Sequence, residues 1–72
     1  MDRLTHVEVH QLEELLRSEH AAAAKCRMYA ALANETGDEG VTKLCEQLAD
    51  RHREHFIALM RQISDSDTRI SH

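Results

Sequence analysis

The chain has no proline, and its only two glycines, Gly37 and Gly40, lie three positions apart near the middle of 72 residues. Proline and glycine are the residues that most often end a helix. On both sides of this pair the sequence is rich in alanine, leucine, glutamate, arginine and glutamine, which favour helices. The sequence therefore predicts an all-α single domain, in which two long helices are joined by one short turn as an antiparallel hairpin.

Local signals place the ends of the two helices. Thr5 and Glu8 fit a capping box, in which Thr5 caps the helix and Glu8 reaches back to the Thr5 backbone. Gly37 suits a left-handed helix end, and Asp38 or Thr36 can cap the next helix. We expect helix 1 over residues 5–34, a turn at 35–38, helix 2 over 39–63 and a polar tail at 64–72.

The apolar residues of both helices recur at intervals of three and four, which is typical of an amphipathic helix. A lone hairpin would leave half of each apolar stripe in water, and a chain of this length rarely buries enough apolar surface to be stable alone. Two hairpins that pair into a four-helix bundle would cover both stripes. We therefore expect a homodimer or a higher homo-oligomer.

Composition and charge disfavour several classes of protein. The net charge of −4, with one Tyr and one Phe, argues against a nucleic-acid partner, which needs many cations or a stacking surface. The longest apolar runs, residues 21–24 and 29–33, are far too short to cross a membrane. The first residues lack a signal-peptide core, and two cysteines are too few for a disulfide-rich secreted scaffold. These features predict a cytoplasmic protein with no membrane partner.

Three polar residues, Glu19, His52 and His55, occupy positions where the apolar stripes call for leucine. Glu19 and His55 are equally far from Gly37 along the chain, so a hairpin folded there brings them to the same level. His52 lies one turn from His55 on the same face. A carboxylate inside a bundle must be paired, protonated or bound to a cation. The sequence therefore predicts Glu19, His52 and His55 as metal ligands, and a Glu–His hydrogen bond without metal is the alternative.

Two segments that contain these residues resemble the first helix pair of rubrerythrins and related ferritin-like proteins. The segments are EHAAAAKCRMYAALANETG at residues 19–37 and LCEQLADRHREHF at residues 44–56. In that family a Glu on the first helix and a Glu-x-x-His motif on the second build half of a di-iron site. Glu19 matches the first of these and His55 matches the motif His.

The encapsulated ferritins are the nearer architectural analogue, because each of their chains is only a hairpin and dimerisation completes the bundle and its metal site. The resemblance therefore implies a ferritin-like four-helix bundle with a metal site completed at the dimer interface. It also implies iron as the metal, iron oxidation or metal storage and handling as the function, and a shell compartment as a partner. Any ferroxidase-like activity depends on iron being the bound metal.

The chain departs from the family pattern at His52, which replaces the Glu of the Glu-x-x-His motif. A carboxylate can bridge two irons, whereas a neutral imidazole cannot. The replacement favours zinc, nickel or copper, or a different iron geometry, and weakens the case for ferroxidase or peroxidase chemistry. A second departure is Cys26, where many relatives have a tyrosine.

The alternative function is a non-enzymatic helical-bundle interaction module. The RNA-binding Rop protein of plasmids is a dimer of helical hairpins, and LCEQL at residues 44–48 is faintly similar to its second helix. Helix 1 has no such similarity, and the acidic charge disfavours RNA. A dimeric hairpin bundle of this kind can be an adaptor that performs no chemistry.

Other titratable residues have weaker patterns. His6 and His10 are four apart and could hold a metal on one helix face, but an exposed pair near the helix end is the simpler interpretation. His20 adjoins Glu19 but points about 100° away from it around the helix. Cys26 and Cys45 lie within about one turn of each other, which allows a disulfide, buried reduced thiols or a soft metal site.

Overall fold

The computed structural model describes residues 4–70 of the chain, with side chains described as far as residue 65. Two helices account for nearly all of this range: α1 spans His6–Glu35 and α2 spans Glu39–Ile70. They pack against each other as a hairpin 53 Å long and about 16 by 14 Å across. The predicted all-α hairpin is confirmed. Within the described range, neither helix has an apolar stretch long enough to cross a membrane.

A capping box opens α1, as the sequence predicts. The Thr5 hydroxyl accepts a hydrogen bond from the Glu8 backbone N–H at 3.1 Å, and the Glu8 carboxylate accepts one from the Thr5 backbone N–H at 2.9 Å. This backbone bond lowers the pKa of Glu8, because it favours the ionised carboxylate. The two bonds satisfy backbone donors that the first turn of a helix leaves without partners.

The turn between the helices depends on Gly37, whose φ of 79° is in the left-handed region. The Gly37 N–H donates to the Asn34 carbonyl at 3.1 Å and the Asp38 N–H donates to the Ala33 carbonyl at 3.0 Å, which is the Schellman pattern. Asp38 then caps α2 by accepting from the Val41 N–H at 3.1 Å. Gly37 and Asp38 therefore take the roles that the sequence predicts for them.

The expected end of the second helix at residue 63, followed by a polar tail, is wrong. Helix α2 continues through residues 64–70. Ser64 and Asp65 are polar and exposed, but neither removes a backbone donor, and no proline or glycine follows them. Extending an existing helix by such residues costs little compared with starting one. Residues 71–72 of the expected tail lie outside the described range.

A narrow seam joins the two helices. Its residues are shielded from solvent and recur alternately at three and four positions, which is the spacing of an antiparallel coiled coil. The most buried members are Ala23, Ala30 and Ala49, which are 2–7% exposed. The seam residues are Val9, Leu12, Leu16, Glu19, Ala23, Cys26, Ala30 and Ala33 of α1, with Thr42, Cys45, Ala49, His52, Phe56, Leu59 and Ile63 of α2.

Much of the large apolar surface lies outside this seam. In an antiparallel pair of helices, the residues directly before the seam residues lie on one side of the pair. His55 has this position, and so does a group of exposed apolar residues. We call this group the apolar face. Its members are each 44–54% exposed. They are Leu15, Tyr29, Leu32, Val41 and Leu44. A single hairpin leaves this surface in water.

Candidate metal centre

The two helices bring Glu19, His52 and His55 together near the middle of the hairpin. Glu19 and His52 are seam residues, so the packing of α1 on α2 turns both toward the partner helix. His55 lies one turn along α2 from His52 and flanks the seam. The structure therefore brings together the three residues that the sequence singles out. Glu19 is 33 positions from His52 and 36 positions from His55 in the chain.

One carboxylate oxygen lies close to both imidazole rings. Oε2 of Glu19 is 2.9 Å from Nδ1 of His52 and 3.3 Å from Nδ1 of His55. The two rings have centroids 6.2 Å apart and are nearly perpendicular. One ligand atom from each of the three residues lies within 4.8 Å of the other two. The three groups therefore converge on a common point.

Burial differs across the triad of Glu19, His52 and His55. The exposed fraction of the side chain is 20% for Glu19, 30% for His52 and 63% for His55. The hydrogen bond from His52 lowers the pKa of Glu19, against the effect of partial burial, and His55 acts in the same direction as His52. Glu19 is thus held as a carboxylate, the form that binds cations, and the triad opens toward solvent at His55.

The donor set, and the spacing of Glu19 from each histidine, suit a transition metal. Ligand atoms bound at about 2.0–2.2 Å to one ion lie about 3.0–3.5 Å apart, and the two Glu19–His distances are close to this range. Two imidazoles and one carboxylate suit Fe(II) or Zn(II), whereas Ca²⁺ and Mg²⁺ prefer oxygen ligands. Three protein ligands would leave further coordination positions for water or for another group.

The other candidates from the sequence do not form a comparable cluster among the described side chains. His10 lies 3.6 Å from Glu14, and both residues are largely exposed. The His20 ring packs near Phe56, with centroids 5.7 Å apart, and has no place in the triad. Cys26 and Cys45 are half-buried free thiols. Both cysteines lie at the seam, and no disulfide joins them.

Sequence reasoning missed a pair of arginines, Arg27 and Arg53, which line a groove together with His20. Each arginine directly follows a seam residue, Cys26 in α1 and His52 in α2. This shared position could have indicated from the sequence that the two arginines lie close together, because residues directly after seam residues meet on one side of an antiparallel pair. It was hidden among the scattered charges of a solvated helix surface.

No protein-family model, curated protein or solved structure matches this chain. The similarity of residues 19–37 and 44–56 to ferritin-like proteins is therefore an expectation that rests on those residues alone. A function for this chain has to be inferred from the geometry of Glu19, His52 and His55 and from the surfaces around them.

Proposed function

We propose that this protein binds a divalent transition metal through Glu19, His52 and His55. The observation that carries the proposal is the approach of one carboxylate oxygen to two imidazole nitrogens on the other helix. These residues meet only when the hairpin is folded, so metal binding is coupled to folding. The ion compensates for an ionised carboxylate that is largely shielded from water.

A second copy of the chain completes the site in this proposal. His55 is the most exposed ligand and lies on the same side of the hairpin as the apolar face. A copy docked on that face would cover the apolar side chains and bring a second triad close to the first. The result would be a four-helix bundle with its metal centre at the dimer interface, as the resemblance to encapsulated ferritins implies. The small buried core of the single hairpin supports such pairing.

The resemblance favours iron, whereas the replacement of a bridging carboxylate by His52 widens the choice to zinc and similar ions. Bound iron would supply oxidation of Fe(II) by dioxygen or peroxide, or would serve storage and handling of the metal. The residues of the chain have simpler roles. Glu19 contributes charge, and each imidazole offers a nitrogen that must be free of its proton. We therefore expect metal binding to release protons and to weaken at acidic pH.

The test is the metal content of the untagged protein, measured by elemental analysis after loading with Fe(II) without oxygen or with Zn(II). We expect Glu19→Ala and His55→Ala to lose the bound metal. His20→Ala is a matched control, because it removes an imidazole next to Glu19 that lies outside the triad. Replacing both His6 and His10 by alanine tests the weaker histidine pair. Equal metal content in the wild-type protein and in the two triad variants would contradict the proposal.

The exposed apolar face favours a second candidate, a non-enzymatic interaction module. Its five residues would serve pairing or partner binding whether or not a metal is present. A dimer that forms equally well in the metal-free protein, together with metal content that does not depend on Glu19 or His55, would favour this function. Salt-dependent binding of RNA at micromolar protein would favour its Rop-like form.

A further inference from the structure

A groove runs along the side of the hairpin away from His55 and the apolar face. Its volume is about 320 Å³. Both helices contribute to it. In an antiparallel pair, the residues directly after seam residues, such as Arg27 and Arg53, meet on this side. The lining residues are His20, Ala23 and Arg27 of α1 and Arg53, Phe56 and Ile57 of α2.

The walls of the groove are positively charged although the chain as a whole carries −4. Arg27 and Arg53 stand on opposite helices, and neither guanidinium has a carboxylate within ion-pair distance among the side chains of residues 4–65. Arg17, by contrast, binds Glu14 at 2.7 Å. Glu46 lines two adjoining grooves with Arg27, and Asp50 lines one of them, but neither carboxylate lies within ion-pair distance of Arg27. Two guanidiniums are therefore available to an anion.

The floor of the groove is apolar and partly aromatic. Ala23 is 4% exposed, Phe56 is half-buried, and Ile57 is 38% exposed. The His20 ring lies 5.7 Å from the Phe56 ring at an angle of 44°. A ligand in this groove would meet an apolar, partly aromatic surface lined by two cations. Such a combination of apolar lining and a few polar groups is common in small-molecule sites.

We infer that this groove binds a small organic anion, a phosphate or carboxylate attached to a flat apolar group. Guanidinium groups bind both anions through two parallel hydrogen bonds, and Arg27 and Arg53 can approach the anion from opposite sides. The apolar group rests against Ala23 and Phe56. Because the groove lies on the side away from His55, this site is independent of the metal proposal and stays open when a second copy covers the apolar face.

The experiment is a titration of the full-length chain with phenyl phosphate and with benzoate, followed by backbone amide chemical shifts. Inorganic phosphate and benzyl alcohol serve as the two halves of the ligand. We expect saturable binding of one or both aromatic anions, with shifts centred on His20, Arg27 and Arg53, and weaker binding of each half alone. Whichever aromatic anion binds more tightly identifies the anionic group that the groove prefers.

Arg27→Gln and Arg53→Gln should each weaken that binding about tenfold, which is the loss expected for a charge-assisted hydrogen-bonding partner. Arg51→Gln is the matched control, because it removes the same charge two positions away, outside the groove. Arg53→Lys should bind more weakly than the wild-type protein and more tightly than Arg53→Gln, since it keeps the charge but loses the planar fork. Circular dichroism of each variant confirms that the helices are intact.

Three results would overturn the inference. The first is equal weakening in Arg51→Gln and Arg53→Gln, which would show attraction to overall charge alone. The second is inorganic phosphate binding as tightly as phenyl phosphate, which would show that the apolar floor takes no part. The third is the absence of saturable binding at millimolar ligand. His55→Ala should bind the anion as the wild-type protein does, so a failure of the metal proposal leaves this test unaffected.

Discussion

Oε2 of Glu19 lies 2.9 Å from Nδ1 of His52, across the seam between α1 and α2. The pair joins the two helices near the middle of the hairpin, far from the turn that connects them. Because the side chains of Glu19 and His52 are only 20% and 30% exposed, water screens the contact less than it would at the surface. The pair is both a link between the helices and two of the three ligands of the proposed metal site.

Metal binding should stabilise the folded protein. A ligand that binds only the folded state at a free concentration of about 100 times its Kd adds about 2.7 kcal/mol to the free energy of unfolding. We expect Zn(II) to raise the midpoint of urea unfolding and EDTA to reverse the increase. Glu19→Gln should abolish this effect and His20→Ala should keep it. A similar increase in Glu19→Gln would place the bound metal elsewhere.

The metal-free protein should lose stability in acid partly through Glu19. Its pKa is lowered in the folded state by His52 and then by His55, so the carboxylate stabilises the fold above the ordinary glutamate pKa. This contribution is lost as the pH falls through the lowered folded-state pKa. Urea unfolding from about pH 7 to about pH 3 should therefore show a shallower pH dependence in Glu19→Gln than in the wild-type protein.

Glu13→Gln is the control for that series, because it removes the same charge from an exposed position of α1. Glu19→Gln should reduce the pH dependence more than Glu13→Gln does. Some dependence should persist in Glu19→Gln as well, since the pKa of Glu8 is also lowered in the folded state. A wild-type slope in Glu19→Gln would show that its contact with His52 adds nothing to folding.

Alanine should have opposite effects at the two glycines. At Gly37 the φ of 79° is unfavourable for any residue with a Cβ, so Gly37→Ala should destabilise the fold by about 1 kcal/mol although no atom lies within 4 Å of the new methyl group. Gly40 is helical, and its added Cβ would meet Asp38 Oδ1 at an ordinary 3.7 Å. Gly40→Ala should stabilise by about 0.5 kcal/mol. Thermal unfolding measures both, and a stabilising Gly37→Ala would refute the left-handed turn.

A polar substitution on the apolar face should weaken dimerisation. Leu44 is 54% exposed on that face, and its burial in a dimer would contribute enough that Leu44→Gln raises the dimer Kd about tenfold. Met28 is 53% exposed but lies outside the apolar face, so Met28→Gln is a control of matched exposure. Light scattering during size-exclusion chromatography gives the mass of each. Equal effects of the two substitutions would argue against the apolar face as the interface.

The sequence predicts the turn and the triad well, because both depend on short-range rules. Thr5 and Gly37 act through hydrogen bonds to residues a few positions away, so their roles follow from local sequence. Once Gly37 fixes the turn, the constant rise of a helix determines which residues share a level. The approach of Glu19 to His52 and His55 therefore follows from counting along the chain.

Other features depend on the pairing of the two helices and could not be predicted. The pattern on α1 allows either Leu15 or Leu16 to face the partner helix, and the narrow seam selects Leu16 while Leu15 stays 53% exposed. That Arg27 and Arg53 line one groove, with no ion pair to another described side chain, depends on side chains of both helices. The end of α2 was predicted too early because Ser64 and Asp65 disfavour a helix only weakly.

The interior of the described hairpin is built around the methyl groups of Ala23, Ala30 and Ala49. Because so little apolar surface is buried, a single chain has a low free energy of unfolding. Cellular proteases degrade chains in the unfolded state. Newly made copies that find neither a companion nor a cofactor would be short-lived. If the chain dimerises and binds metal as proposed, its steady-state abundance would then depend on the concentrations of the metal and of further copies in the cell. The lifetime of the protein would report whether the dimer and its metal site have formed.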